Sequence, residues 1–311
     1  MEGYDKIGVA NESTDKRIHG RKENRVGIGT ISLDRFGKRI WVNRKEIRTV
    51  YLKLVSLLFS AVGAVALFVD LTEYVPGIGQ AAWILAGLVV LPLIPAGIWG
   101  ISQKEKRISR TPGHGGLTVK FGDLFREDAR IKVIPVNRCF DTVVSQELIS
   151  KRTLHGAWIC EYLKTHTLEE LDGEIAKQLE GKPYKEVWEK RLGKKRRYPV
   201  GTVVQIQHRG VIYYLTAMTV LDEETLRASC TKEAYCLGMM RLMNYFDIHG
   251  QQESLAMPLV GGGAARMQKS PAELLQCLLS LIEMGRNRGQ GAIKIVLPGE
   301  LKEEISLSEL H

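Results

Sequence analysis

Leu255-Ala256-Met257-Pro258-Leu259-Val260-Gly261-Gly262-Gly263-Ala264-Ala265-Arg266 is the stretch whose reading decides the fold. Residues 255–259 form a short apolar run, as in a buried strand. The run opens into Gly261, Gly262, Gly263, Ala264 and Ala265, which carry no bulky side chain, and then Arg266. Backbone amides in such a loop can converge on phosphate oxygens, because no side chain blocks the approach. A flexible connector without a ligand is the competing reading. No Gly-Lys-Ser/Thr follows, so this is not a Walker loop. A helix start comes next: Ser270 at the N-cap, Pro271 at the first helical position and Glu273 completing a capping box.

Working outward, strands and helices alternate. Residues 117–121 read as a strand ending at Gly122-Asp123, and 131–136 as a strand ending at Asn137. Helical patterns cover 154–163, 168–179 and 231–245. Residues 202–207 and 211–217 make a hairpin across Arg209-Gly210. A last apolar strand spans 292–297. This order predicts an α/β fold with a mixed, largely buried sheet between helices. Asp123 and Asn137 then sit at strand ends beside the glycine loop. There a carboxylate can accept from an exocyclic amine, and an amide can hold a sugar hydroxyl. Taken singly, each is also a common cap or turn residue.

Upstream, residues 50–69 and 81–101 are almost free of charge. About 20 residues are needed to cross a 30 Å hydrocarbon core at 1.5 Å per residue. Two transmembrane helices are therefore expected, with a helix pair buried in a soluble core as the alternative. Lys53 lies one turn from the end of its span, where it can snorkel to the interface. Arg35, Lys38, Arg39, Arg44, Lys45 and Arg48 precede the first span, and Lys104, Lys106, Arg107 and Arg110 follow the second. The connecting loop lacks Lys and Arg. Both termini are therefore expected in the cytoplasm. Pro92 and Pro95 predict a kink in the second span. Ser60/Ala64 and Ala82/Ala86 offer small-residue faces, for oligomerisation or for packing within the hairpin. The expected segments are a cytoplasmic 1–48, a hairpin over 49–102, a linker over 103–116 and a soluble domain over 117–311.

The 311 residues carry a formal net charge of +9. A basic balance fits nucleic acid, anionic membrane or an anionic ligand. No nucleic-acid motif accompanies the charge, so nucleic acid is not expected as a partner. The basic run 190–197 reads as a solvated loop. Five cysteines without metal spacing suit a reducing cytosol. The first 48 residues lack an early apolar core, so no signal peptide is expected.

Val119-Lys120-Phe121-Gly122-Asp123-Leu124, Val133-Ile134-Pro135-Val136-Asn137 and Met257 through Gly263 together resemble macro domains, which bind ADP-ribose. The resemblance covers about residues 115–300. It implies Asp123 at the adenine amine, Asn137 near the distal ribose and the loop 261–265 around the pyrophosphate, with Leu124 and Arg266 as further ligand-binding candidates. Phe140 stands where a second asparagine is usual. The late aromatic that stacks on adenine is absent, and Phe125 or Phe140 is the expected substitute. The first glycine-rich loop is absent, and Ser150-Lys151-Arg152-Thr153-Leu154-His155-Gly156-Ala157 occupies that stretch instead. These departures speak against hydrolysis more than against binding. His155 is a candidate general base or a contact to a distal group of the ligand, and Gly156 is a candidate ligand contact. A lone histidine is also a common packing residue, and no catalytic or metal constellation is evident.

Two helices before such a domain, with residues 133–142 and 153–156, resemble the membrane effectors of Thoeris anti-phage systems. That likeness implies a multi-pass protein of the bacterial inner membrane, acting as an oligomer without a cofactor. It implies a signal, histidine-ADP-ribose, made by a TIR-domain partner, and membrane disruption leading to abortive infection. A membrane-tethered ADP-ribosyl hydrolase and a non-catalytic scaffold are the alternative functions.

Overall fold

The computed structural model describes residues 33–68, 77–103, 105–108, 115–261, 269–285 and 291–310. Helix α1 (Leu33–Val42) leads through Asn43 into α2 (Arg44–Ala66). Helices α3 (Ile78–Val90) and α4 (Leu93–Ser102) follow, broken at Leu91-Pro92 where the proline kink was expected. The run 44–66 and the run 78–102 are each long and apolar enough to cross a bilayer. Neither α2 nor α3 contains a buried residue, whereas Ala96 and Gly100 of α4 are buried.

Within the chain, the hairpin closes on small residues other than the Ser60/Ala64 and Ala82/Ala86 pairs. Ala96 and Gly100 are buried, and a Cβ on Gly100 would collide with Ile47. Ser60, Ala64, Ala82 and Ala86 are exposed. Small residues allow close helix approach only where the axes cross, and the Pro92 break sets that crossing at α4.

The expected linker over 103–116 instead contains β1 (Glu105–Ile108), antiparallel to β2 (Leu117–Phe121). Its sequence, Glu-Lys-Arg-Ile, carries no apolar alternation, so its pairing is a tertiary effect. Strand β3 (Ile131–Asn137) is followed by α5 (Leu154–Tyr162) and α6 (Leu168–Leu179). A small ribbon, β4 (Lys185–Glu186) with β5 (Arg196–Arg197), precedes the hairpin β6 (Val203–His208) and β7 (Val211–Leu221). Then come β8 (Ala228–Ser229), α7 (Lys232–His249), β9 (Leu255–Pro258), α8 (Pro271–Gly285) and β10 (Ile293–Leu297).

The main sheet has the order β1-β2-β10-β9-β3-β7-β6, with β8 beside β7. The strands from β2 to β7 in this order are parallel, and β1 and β6 close it antiparallel at the edges. Side chains alternate across it, as the two-residue strand period requires. On β10, Ile293, Ile295 and Leu297 enter one core with α7 and α8, while Val296 enters the other with α5 and α6. The domain is thus a mixed sheet between two helical layers. Local caps set the helix starts: Thr153, Thr167 and Thr231 each accept a backbone N–H in the first turn. Ser270 and Glu273 form the reciprocal box before α8. Such caps stabilise by about 1 kcal/mol each.

Candidate functional site

Parallel strands point their carboxyl ends to one side of the sheet, and there a cavity of about 760 Å³ opens. That size suits a small-molecule ligand. Asp123, Leu124, Asn137, His155 and Gly261 all line it. Gly262, Gly263, Ala264, Ala265 and Arg266 lie outside the described residues. Gly261 has φ +100, a backbone region open to glycine at no steric cost, so the strand can turn sharply into the loop.

Asp123 stands just past β2. Its carboxylate accepts the Phe125 N–H at 2.9 Å and caps the 3-10 turn Leu124–Arg126. Its side chain is half-exposed, so oxygen remains available to a ligand. Three lysines fix the segment behind it. Lys132 donates to the Phe125 carbonyl at 2.7 Å. Glu127 pairs with Lys120 at 2.9 Å and with Lys294 at 3.0 Å. Burial by itself would raise the Glu127 pKa, but hydrogen bonds from both ammoniums hold it below the usual carboxylate value. Burial lowers the pKa of Lys132, opposed by Glu127.

Asn137 ends β3 and is buried. Its Oδ1 accepts the Cys139 N–H at 3.0 Å and the Asp141 N–H at 3.4 Å. The amide nitrogen is left as the group that can donate to a ligand. This turn forces Phe140 to φ +52. Phe140 does not stack over the cavity as expected. It is 1% exposed and meets Tyr198 edge-on at 5.8 Å, inside the core. A phenyl ring gains more from burial in that core than from lining an open cleft. Phe125 packs against the same core.

Helix α5 begins at the opposite wall. Thr153 Oγ1 accepts the Gly156 N–H at 3.0 Å, and the first-turn residues Leu154 and His155 line the cavity. A helix N-terminus presents free N–H groups and partial positive charge, which favour an anion. Burial lowers the His155 pKa to about 3, with Lys194 adding to the effect, so its ring is neutral at pH 7. Gly156 does not line the cavity. It lets α5 pack directly on the Ser150 carbonyl, where a Cβ would collide.

The basic run is not wholly solvated. Lys190 is fully buried and paired with Asp141, while Lys194 pairs with Asp172 at 2.6 Å. The run thereby anchors the loop that follows Asn137. Sequence reasoning missed this clamp, since nothing in the pattern links positions 49 apart. It also passed over Arg152, a cavity-lining cation one residue before the α5 cap, and Glu300, on the wall after β10. Among the described residues no group of His, Cys, Asp and Glu could hold a metal ion.

The sheet order, the strand-end cavity and the helix N-terminus on its wall define a macro domain. Residues 117–298 match the family model "Thoeris protein ThsA, Macro domain". The chain belongs to this family. It is similar to Thoeris protein ThsA of Bacillus amyloliquefaciens strain Y2, with 27% identity over 186 residues. That match spans 58% of this chain and 61% of the relative. Among solved structures, an Oceanobacillus iheyensis macrodomain mutant with ADPR is 14% identical, with a TM-score of 0.41 over 66% of this chain and 96% of its own. The macrodomain of Mycobacterium tuberculosis DarG is 18% identical, with a TM-score of 0.35 over 60% and 99%.

Proposed function

We propose that this chain is a membrane effector of anti-phage defence, in which the macro domain senses an ADP-ribose-derived signal. The observation that carries the reading is one cavity at the strand ends that collects Asp123, Asn137, Gly261 and the N-terminus of α5. A carboxylate for an amine, an amide for hydroxyls and free N–H groups for phosphate are the complement of a nucleotide sugar diphosphate. The family membership and the name of the Bacillus relative support a place in Thoeris defence.

In this reading Asp123 holds the adenine amine and Asn137 the distal ribose. The loop 261–265, with Arg266, surrounds the pyrophosphate. His155 meets a distal group, consistent with histidine-ADP-ribose released by a TIR-domain partner. The two apolar helices support insertion in a membrane, and the Lys and Arg residues that flank them are the reason for assigning the macro domain to the cytoplasmic side of the inner membrane in this reading. A two-helix hairpin cannot enclose a pore, so any pore requires several copies.

Sensing is favoured over hydrolysis by two observations. Phe140, which stands where a second asparagine is usual, is buried in the core, and His155 on the cavity wall is itself buried, which lowers its pKa and weakens it as a general base. The test is calorimetry on the full chain in detergent with ADP-ribose and histidine-ADP-ribose, followed by chromatography of the recovered ligand. Binding with intact ligand is expected. Turnover of the ligand, or no heat with either compound, would overturn the reading.

A further inference from the structure

The cavity wall after β10 is also the point where the macro domain meets the membrane helices. Pro298, Gly299, Glu300 and Leu301 line the cavity. The same residues run into the 3-10 turn Gly299–Glu303. Glu303, two residues beyond the wall, faces away from the cavity and lies 3.9 Å from both Arg35 and Arg39 of α1. Ser306 donates to Asn43 at 3.0 Å, in the joint between α1 and α2. Lys45, in the first turn of α2, pairs with Glu309 at 2.9 Å.

Helix α1 has a second face. Phe36, Ile40 and Trp41 are exposed, with Trp41 at 67%, and the Arg44 guanidinium stacks over Trp41 at 4.3 Å. Only Asn43 separates this face from α2, the first apolar span. An aromatic and basic helix at the mouth of a span belongs at the headgroup boundary.

We propose that α1 is a coupling helix seated on the bilayer surface, which Glu303 ties to the ligand-binding wall, so that occupancy of the cavity repositions the spans. This rests on the sensing function proposed above. A ligand that presses on Pro298–Leu301 moves a turn that is rigidly hydrogen-bonded, with Leu301 N–H on the Pro298 carbonyl at 3.0 Å and Glu304 N–H on the Leu301 carbonyl at 3.0 Å. The displacement then reaches α1 through Glu303 and α2 through Asn43 and Lys45. The charged segment 104–110 is not required for this route.

The test is hydrogen exchange on the full chain in nanodiscs containing phosphatidylglycerol, with and without histidine-ADP-ribose. Residues 298–306 and 33–43 should change protection together. In Glu303→Gln, 298–306 should still respond, with affinity within about threefold of wild type. Residues 33–43 should fall silent, and ligand-induced vesicle leakage should drop about tenfold or more. Ile40→Asp, on the lipid face, should likewise keep affinity and lose leakage. A wild-type response confined to 298–306, or Glu303→Gln vesicles that leak like wild type, would overturn the coupling. Silence of both segments together with no binding heat would instead overturn the sensing function, and the coupling with it.

Discussion

The Lys190 ammonium meets the Asp141 carboxylate at 2.6 Å, and neither side chain is exposed to solvent. The other carboxylate oxygen accepts the Lys194 N–H at 2.6 Å, and Lys190 donates again to the Lys194 carbonyl at 3.0 Å. Two distant loops are thereby locked, one of them the loop that follows Asn137. Removing either partner leaves a buried charge uncompensated, which destabilises by about 3–5 kcal/mol. Asp141→Ala and Lys190→Met should each show that loss in denaturant titrations of the detergent-solubilised chain. The double variant should lose much less than the sum. Strict additivity would mean that the pair is not coupled.

Asp123 should matter to the ligand and little to the fold. Asp123→Asn keeps an oxygen to accept the Phe125 N–H but removes the charge. Affinity for the ADP-ribose compound should fall about tenfold, the size expected for losing a charged hydrogen bond of roughly 1.4 kcal/mol. The unfolding midpoint should barely move. Unchanged affinity by calorimetry would remove Asp123 from the adenine amine.

Phe140 should behave in the opposite way. It sits in the core against Tyr198, so Phe140→Ala should destabilise by about 3–5 kcal/mol. Phe140→Leu, which keeps most of the packing, should bind the ligand within about threefold of wild type. A large affinity loss in Phe140→Leu at preserved stability would mean that the ring does reach the ligand.

His155 sets a pH dependence whose sign is fixed. Its folded pKa is lowered by burial to about 3 from the ordinary histidine value of 6.5. Between those values the unfolded chain binds the proton and the folded chain does not. Stability from this group is complete above about pH 6.5 and is lost as pH falls toward 3. Buried carboxylates such as Glu127 lose stability in the same acid range, so the comparison must be with a variant. His155→Phe should show a shallower decline of unfolding free energy below pH 6.5 than wild type. Parallel curves would contradict a neutral, desolvated imidazole.

Much of the fold was legible because local chemistry agrees with it. Ser270 marks the start of α8 through its capping box, and the Arg209-Gly210 turn marks the β6–β7 hairpin, with both residues at positive φ. Strand ends at Asp123 and Asn137 pointed to the cavity, since parallel strands bring their carboxyl ends together. What escaped depended on long-range partners. β1 is a charged tetrapeptide that pairs only because β2 lies beside it. The Asp141–Lys190 clamp and the Glu127 pairs join residues with no common periodicity. Phe140 was misassigned because an aromatic beside a ligand motif serves a core equally well, and only the positive φ of its turn decides which.

The central claim joins a cavity in the macro domain to damage of a bilayer, and dye release from phosphatidylglycerol vesicles carrying the full chain tests it most directly. Added histidine-ADP-ribose should release dye over the same concentration range in which it binds, and Asp123→Asn should shift both ranges together. Saturated binding with vesicles that stay sealed would contradict the account.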